Sequence, residues 1–71
     1  MKAAYKMYQR KSGITYIVNA FGRVVYIKHK WDTSYWKIPK TNIKLRIDEN
    51  VPDKIRFIQD LTAEELVLEL L

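Results

Sequence analysis

The chain has 71 residues, 48% of them hydrophobic and 13% aromatic, with no cysteine and a formal net charge of +5. That length holds one domain, which hides only roughly 60% of the surface of the open chain, so its core is small and its stability narrow. The missing cysteines exclude disulfides and thiolate-bound zinc or iron–sulfur centres, and the apolar content argues against intrinsic disorder.

Residues 1–71 therefore read as a single small basic domain. The charge is unevenly spread: Met1 to Trp31 contains seven Lys or Arg and no acid, and Asp32 is the first carboxylate. The last eleven residues reverse this, with Glu64, Glu65 and Glu69 and no base. An acid-free first half favours a polyanionic partner, although small domains also carry basic charge for solubility alone. No stretch approaches the ~18 apolar residues of a membrane span, and the first residues have no apolar leader, so the expected location is cytoplasmic with no membrane contact.

The first thirty residues predict a three-stranded meander. Ser12-Gly13 and Phe21-Gly22 separate runs rich in Tyr, Ile and Val, and both dipeptides fit two-residue hairpin turns. Phe21 tolerates positive φ poorly, so a three-residue bulged loop is the alternative there. Two-residue turns pair Tyr5 with Ala20, Met7 with Val18, Tyr8 with Ile17, Val18 with Val25, Tyr16 with Ile27, and Ile17 with Tyr26. Directly opposed side chains share a face. One face then collects Tyr5, Met7, Tyr16, Val18, Ala20, Val25 and Ile27 as the core. The other collects Lys6, Tyr8, Arg10, Thr15, Ile17, Asn19, Val24, Tyr26, Lys28 and Lys30. A slip of one residue at either turn would exchange the faces.

Asp32-Thr-Ser-Tyr-Trp36 places turn formers between aromatics, and Pro39 bars Lys37-Ile-Pro39 from a central strand. Ile43-Lys-Leu-Arg-Ile47 alternates as a further strand, and Asp48 to Asp53 forms a loop. Residues 54–59 suit either a strand or a helical turn opened by Pro52, with the strand preferred. Thr62 and Glu65 form a capping box, and Leu61 and Leu66 a hydrophobic staple, predicting a helix over Ala63–Leu71. Such a helix is too short to stand alone, so Leu66, Val67, Leu70 and Leu71 are expected to pack on the apolar face of the sheet. The expected fold is α+β: a twisted antiparallel sheet of four or five strands with one C-terminal helix on one face. An SH3-like or OB-like partial barrel is its closed version.

Catalytic motifs are scarce. His29 is the single histidine. A nucleophilic triad would need Ser12 or Ser34 beside it and an acid to orient it, while Ser12 reads as a turn residue. Asp48-Glu49 and Glu64-Glu65 sit in a loop and a helix cap. No phosphate loop, metal spacing, RNP-type motif or GXXG loop occurs. The expectation is a non-enzymatic protein without cofactor or metal.

The remaining signal is the row Tyr8–Ile17–Tyr26 with Lys6, Arg10, Lys28 and Lys30 around it. Bases stack on tyrosine while lysine and arginine follow phosphates, so this face predicts binding of single-stranded nucleic acid or another polyanion. The same residues also suit an ordinary sheet, or a surface closed by self-association. The alternative is a protein-interaction module, an inhibitor or small regulatory subunit or a homodimer. It would use Trp31, Tyr35 and Trp36, or the C-terminal helix, since Trp and Tyr are favoured interface anchors.

Overall fold

The structure, a computed structural model, describes residues 3–39 and 55–71. The strands are β1 Tyr5–Arg10, β2 Thr15–Asn19, β3 Val24–Lys28, β4 Trp36–Lys37 and β5 Ile55–Leu61, followed by helix α1 Ala63–Leu70. They form one antiparallel sheet in the order β4-β3-β2-β1-β5. The fold is α+β, and the sheet is open rather than closed into a barrel. The strand expected at Ile43–Ile47 and the loop Asp48–Asp53 lie outside the described residues. The ambiguous segment after Pro52 is a strand over Ile55–Leu61.

Both hairpins use three-residue loops. At the first, Gly13 N donates to Arg10 O (2.9 Å) and Arg10 N to Ile14 O (2.8 Å), leaving Lys11, Ser12 and Gly13 as the loop. Gly13 has φ +104°, which closes such a loop and which side chains with a Cβ rarely adopt. At the second, Gly22 N donates to Asn19 O (3.0 Å) and Asn19 N to Arg23 O (2.9 Å), with Gly22 at φ +78°. The Asn19 side chain accepts from the backbone N–H of Phe21 (3.0 Å) and Arg23 (3.1 Å) and so shapes the turn.

The extra loop residue at the first hairpin shifts β1 by one place. Met7 faces Ile17, Tyr5 faces Asn19 and Tyr8 faces Tyr16, in place of the expected Met7–Val18, Tyr5–Ala20 and Tyr8–Ile17. The second hairpin has the same extra residue, but a bulge between Ile17 and Val18 absorbs it. Ile17 therefore still faces Tyr26 and Tyr16 still faces Ile27, while Val18 faces Val24 rather than Val25.

This exchanges the expected faces of β2 and of most of β3, while Tyr5, Met7 and Val25 stay on the helix side as expected. The core beneath the helix is Met7, Ile17, Leu61 and Leu66, with Tyr5, Val25, Tyr26, Tyr35 and Leu70 packed against it. Ile17, expected outside, is completely buried. Tyr16 and Ile27, expected beneath the helix, instead share the far face with Tyr8 and Val18. Val18 and Val24 are also buried, opposite each other on that far side.

The helix is fastened at its start. Thr62 Oγ1 accepts from Glu65 N (3.1 Å) and Glu65 Oε1 from Thr62 N (2.9 Å), completing the capping box. Leu61 and Leu66 are both buried, as the staple requires. A helix of eight residues presents one narrow stripe to the sheet, and Leu66 and Leu70 fill it. Val67 and Leu71, expected to pack, lie one position round the helix and are exposed.

Two stability predictions follow from these contacts. Thr62→Ala should cost about 1 kcal/mol, seen as a lower urea midpoint, because it removes the cap oxygen. Gly13→Ala and Gly22→Ala should each cost about 1–2 kcal/mol for the positive φ. Gly13→Ala should be the worse of the two. A Cβ there would meet Lys30 Cβ at 3.0 Å, whereas a Cβ on Gly22 meets nothing within 4 Å. Equal midpoints for the two variants would refute the close approach of Lys30.

Candidate functional site

The register decides which charged side chains meet. Lys6, Tyr8 and Arg10 lie on the far face, where Arg10 Nε donates to Tyr16 Oη (2.7 Å) and Tyr8 meets Phe57 edge to face (5.6 Å). Ile17 and Tyr26 belong to the helix side. The predicted row Tyr8–Ile17–Tyr26 is therefore not assembled: Tyr8 is separated from the other two by the sheet, and Ile17 has no surface to offer.

Lys28 and Lys30 are brought together, with a residue the sequence did not single out. They line an open hollow of about 550 Å³ on the helix side together with Lys11 and His29. That volume is within the range of small-ligand sites. Each cation reaches it for a local reason. Lys11 belongs to the first hairpin loop. The stem of Lys30 lies across Gly13, where the missing side chain leaves room for it. Lys28 Nζ sits 5.3 Å from the centre of the Tyr35 ring, a cation–π distance.

Tyr35 connects this cationic wall to the helix by donating its hydroxyl to Glu69 Oε1 (3.0 Å). Burial, reinforced by that bond and the Glu69 charge, raises the Tyr35 phenol above its ordinary range, so it remains a neutral donor. Met7 and Ile58 add apolar lining. Tyr35, grouped by sequence with the two tryptophans as an interaction surface, is instead half-buried against the core.

Beside the hollow, Asp32 ties the segment after β3 into a compact turn. Its Oδ2 accepts from the backbone N–H of His29 (2.9 Å), lies 3.1 Å from His29 Nδ1, and accepts from Trp36 Nε1 (3.1 Å). Asp32 N donates back to His29 O (3.0 Å). The His29 ring stacks on Trp31 at 5.2 Å and 14°. The turn thus presents Trp31 and Trp36 outward, 79% and 63% exposed, without leaving them loose. One carboxylate oxygen serving three donors marks Asp32 as a turn former. The short strand Trp36–Lys37 then pairs with β3 as an edge, in keeping with Pro39 just beyond it.

No three His, Asp or Glu side chains among the described residues gather as metal ligands, and no described helix is long and apolar enough to cross a membrane. Comparison with protein-family models, with curated proteins and with solved structures finds no match.

The backbone hydrogen bond from His29 is the main cause holding the Asp32 carboxyl below its ordinary value of 3.8. A depressed folded pKa means that its contribution is present above the unfolded value and is lost as pH falls through the folded one. The indole N–H resonance of Trp36 should therefore hold its folded position from neutral pH down to about 3.8, the ordinary Asp value, and collapse only in stronger acid. Asp32→Ala should shift it at every pH. Loss of the folded signal well above 3.8 in the native protein would show that Asp32 does not govern the turn.

Proposed function

We propose that the protein is a small, non-enzymatic nucleic-acid-binding domain acting in the cytoplasm, and that it holds single strands across the hollow beside Trp31. The observation that supports this is the convergence of Lys11, Lys28 and Lys30 on one opening next to an exposed indole stacked on His29. Lysines follow the phosphates, and the outward indole gives a base something to stack on. This reading keeps Lys28 and Lys30 from the sequence-based set, adds Lys11 and Trp31, and leaves Lys6, Tyr8 and Arg10 aside on the far face.

The second reading is a protein-interaction module, such as an inhibitor or regulatory subunit. It is favoured by the exposure of Trp31 and Trp36 on a turn already ordered by Asp32, since preordered aromatics lose little freedom on binding. The two readings differ in their response to salt. Three phosphate contacts on a single strand correspond to a log–log salt slope of about −2.

Fluorescence anisotropy with a labelled single-stranded oligonucleotide tests the choice. Lys30→Ala should flatten the slope by about 0.7. Trp31→Ala should weaken binding by about 1–3 kcal/mol at every salt concentration and leave the slope nearly unchanged. Lys6→Ala, on the far face, should have little effect. If Lys6→Ala weakened binding as much as Lys30→Ala, and Trp31→Ala did nothing, attraction would be following net charge. The protein-interaction reading would then stand.

A further inference from the structure

Glu69 is out of place in a surface built for phosphates. It lines the same hollow as Lys11, Lys28 and Lys30 and is the one carboxylate there among the described residues. Its Oε1 accepts from Tyr35, and among the described residues it forms no other hydrogen bond or ion pair. A carboxylate repels a phosphate chain, so it weakens a site whose only task is to follow the backbone. It suits a ligand that brings a hydrogen-bond donor to the helix side of the hollow and its negative charge to the lysines. A nucleotide with an amino-bearing base has that polarity.

We infer that the hollow receives one unpaired base, with Glu69 accepting from its exocyclic amino group while the lysines hold the adjoining phosphates. This rests on the nucleic-acid reading and makes it more specific. The apolar lining from Met7, Ile58 and the Tyr35 ring matches a flat base, and about 550 Å³ is ample for one nucleotide. Tyr35 is the positioning residue: its hydroxyl holds one oxygen of Glu69, which fixes where the remaining lone pairs lie. Cytosine offers an amino donor at the position where thymine offers a carbonyl oxygen. The first meets the carboxylate with a charge-assisted bond. The second sets two acceptors against each other, so that no hydrogen bond forms and the carboxylate repels the base oxygen.

Oligo(dC) and oligo(dT) of equal length carry the same backbone charge, so comparing them at neutral pH cancels the phosphate contribution. The native protein should bind oligo(dC) about tenfold more tightly, the effect of one charged hydrogen bond. Glu69→Gln keeps the size and an oxygen for Tyr35, and its amide can serve either base, so the ratio should fall to about one. Oligo(dT) should bind no worse to this variant than to the native protein, because a repulsive charge has gone. Equal affinities in the native protein, or a preference that survives Glu69→Gln, would overturn the inference. If Lys30→Ala and Trp31→Ala still behaved as described above, the nucleic-acid reading would remain without it. Binding of neither oligonucleotide would remove both.

Discussion

A single backbone angle organises this molecule. Gly13 at φ +104° closes a three-residue loop, and that loop sets β1 one place along β2 from where a two-residue turn would set it. Because side chains alternate with period two, the shift decides which β2 residues share a face with each β1 residue. Met7 goes under the helix with Ile17, and Tyr8 goes to the far side with Tyr16. The same glycine leaves the space that the Lys30 stem occupies, so the angle that sets the core also directs a cation into the hollow.

The register was hard to read from sequence for a physical reason. In the first three strands large apolar residues occupy both parities: Met7 is followed by Tyr8, Ile17 by Val18, and Tyr26 by Ile27. A sheet with one clearly polar face would have rejected the wrong register, but here either choice gives a credible core. The bulge opposite Val18 was invisible for a related reason, since it is needed only to reconcile two loop lengths and leaves no composition signal of its own. The second expected pairing, Ile17 with Tyr26, therefore occurs although the turn that was to produce it does not.

Other features were legible because their chemistry is local. The Thr62–Glu65 box and the Leu61–Leu66 staple need only a few adjacent residues, and both form where the sequence places them. The α+β class follows from strand-like runs preceding one capped helix. The candidate site was half legible. Lys28 and Lys30 stand out in any reading of the basic first half, whereas Lys11 becomes relevant only once the three-residue loop aims it at the same hollow. Asp32 is visible in the sequence as the first acid of the chain, but its three donors depend on a turn whose geometry no spacing rule announces. The chain from β5 also protects itself: among the described residues it is an edge, and its register shift beside Met7, with Arg56 and Asp60 exposed along it, discourages further strand pairing.

The acidic end of the chain has a structural meaning that its position conceals. Glu64 and Glu65 occupy the first turn of the helix, where the dipole favours a negative charge, but Glu69 lies near the other end, where it does not. No basic residue occupies that last turn to offset it. What surrounds Glu69 instead is Tyr35, donating from below a lysine of the acid-free half. The sequence Lys28–Tyr35–Glu69 thus joins the middle of the sheet to the end of the helix through one ring. Near that end Leu70 packs against the core, one turn on from the buried Leu66. Tyr35 and Glu69 thus add to Leu66 and Leu70 in holding the helix, and they also line the hollow. A ligand that engages Glu69 without releasing Tyr35 would tighten the helix against the sheet. One that displaced Tyr35 would loosen it.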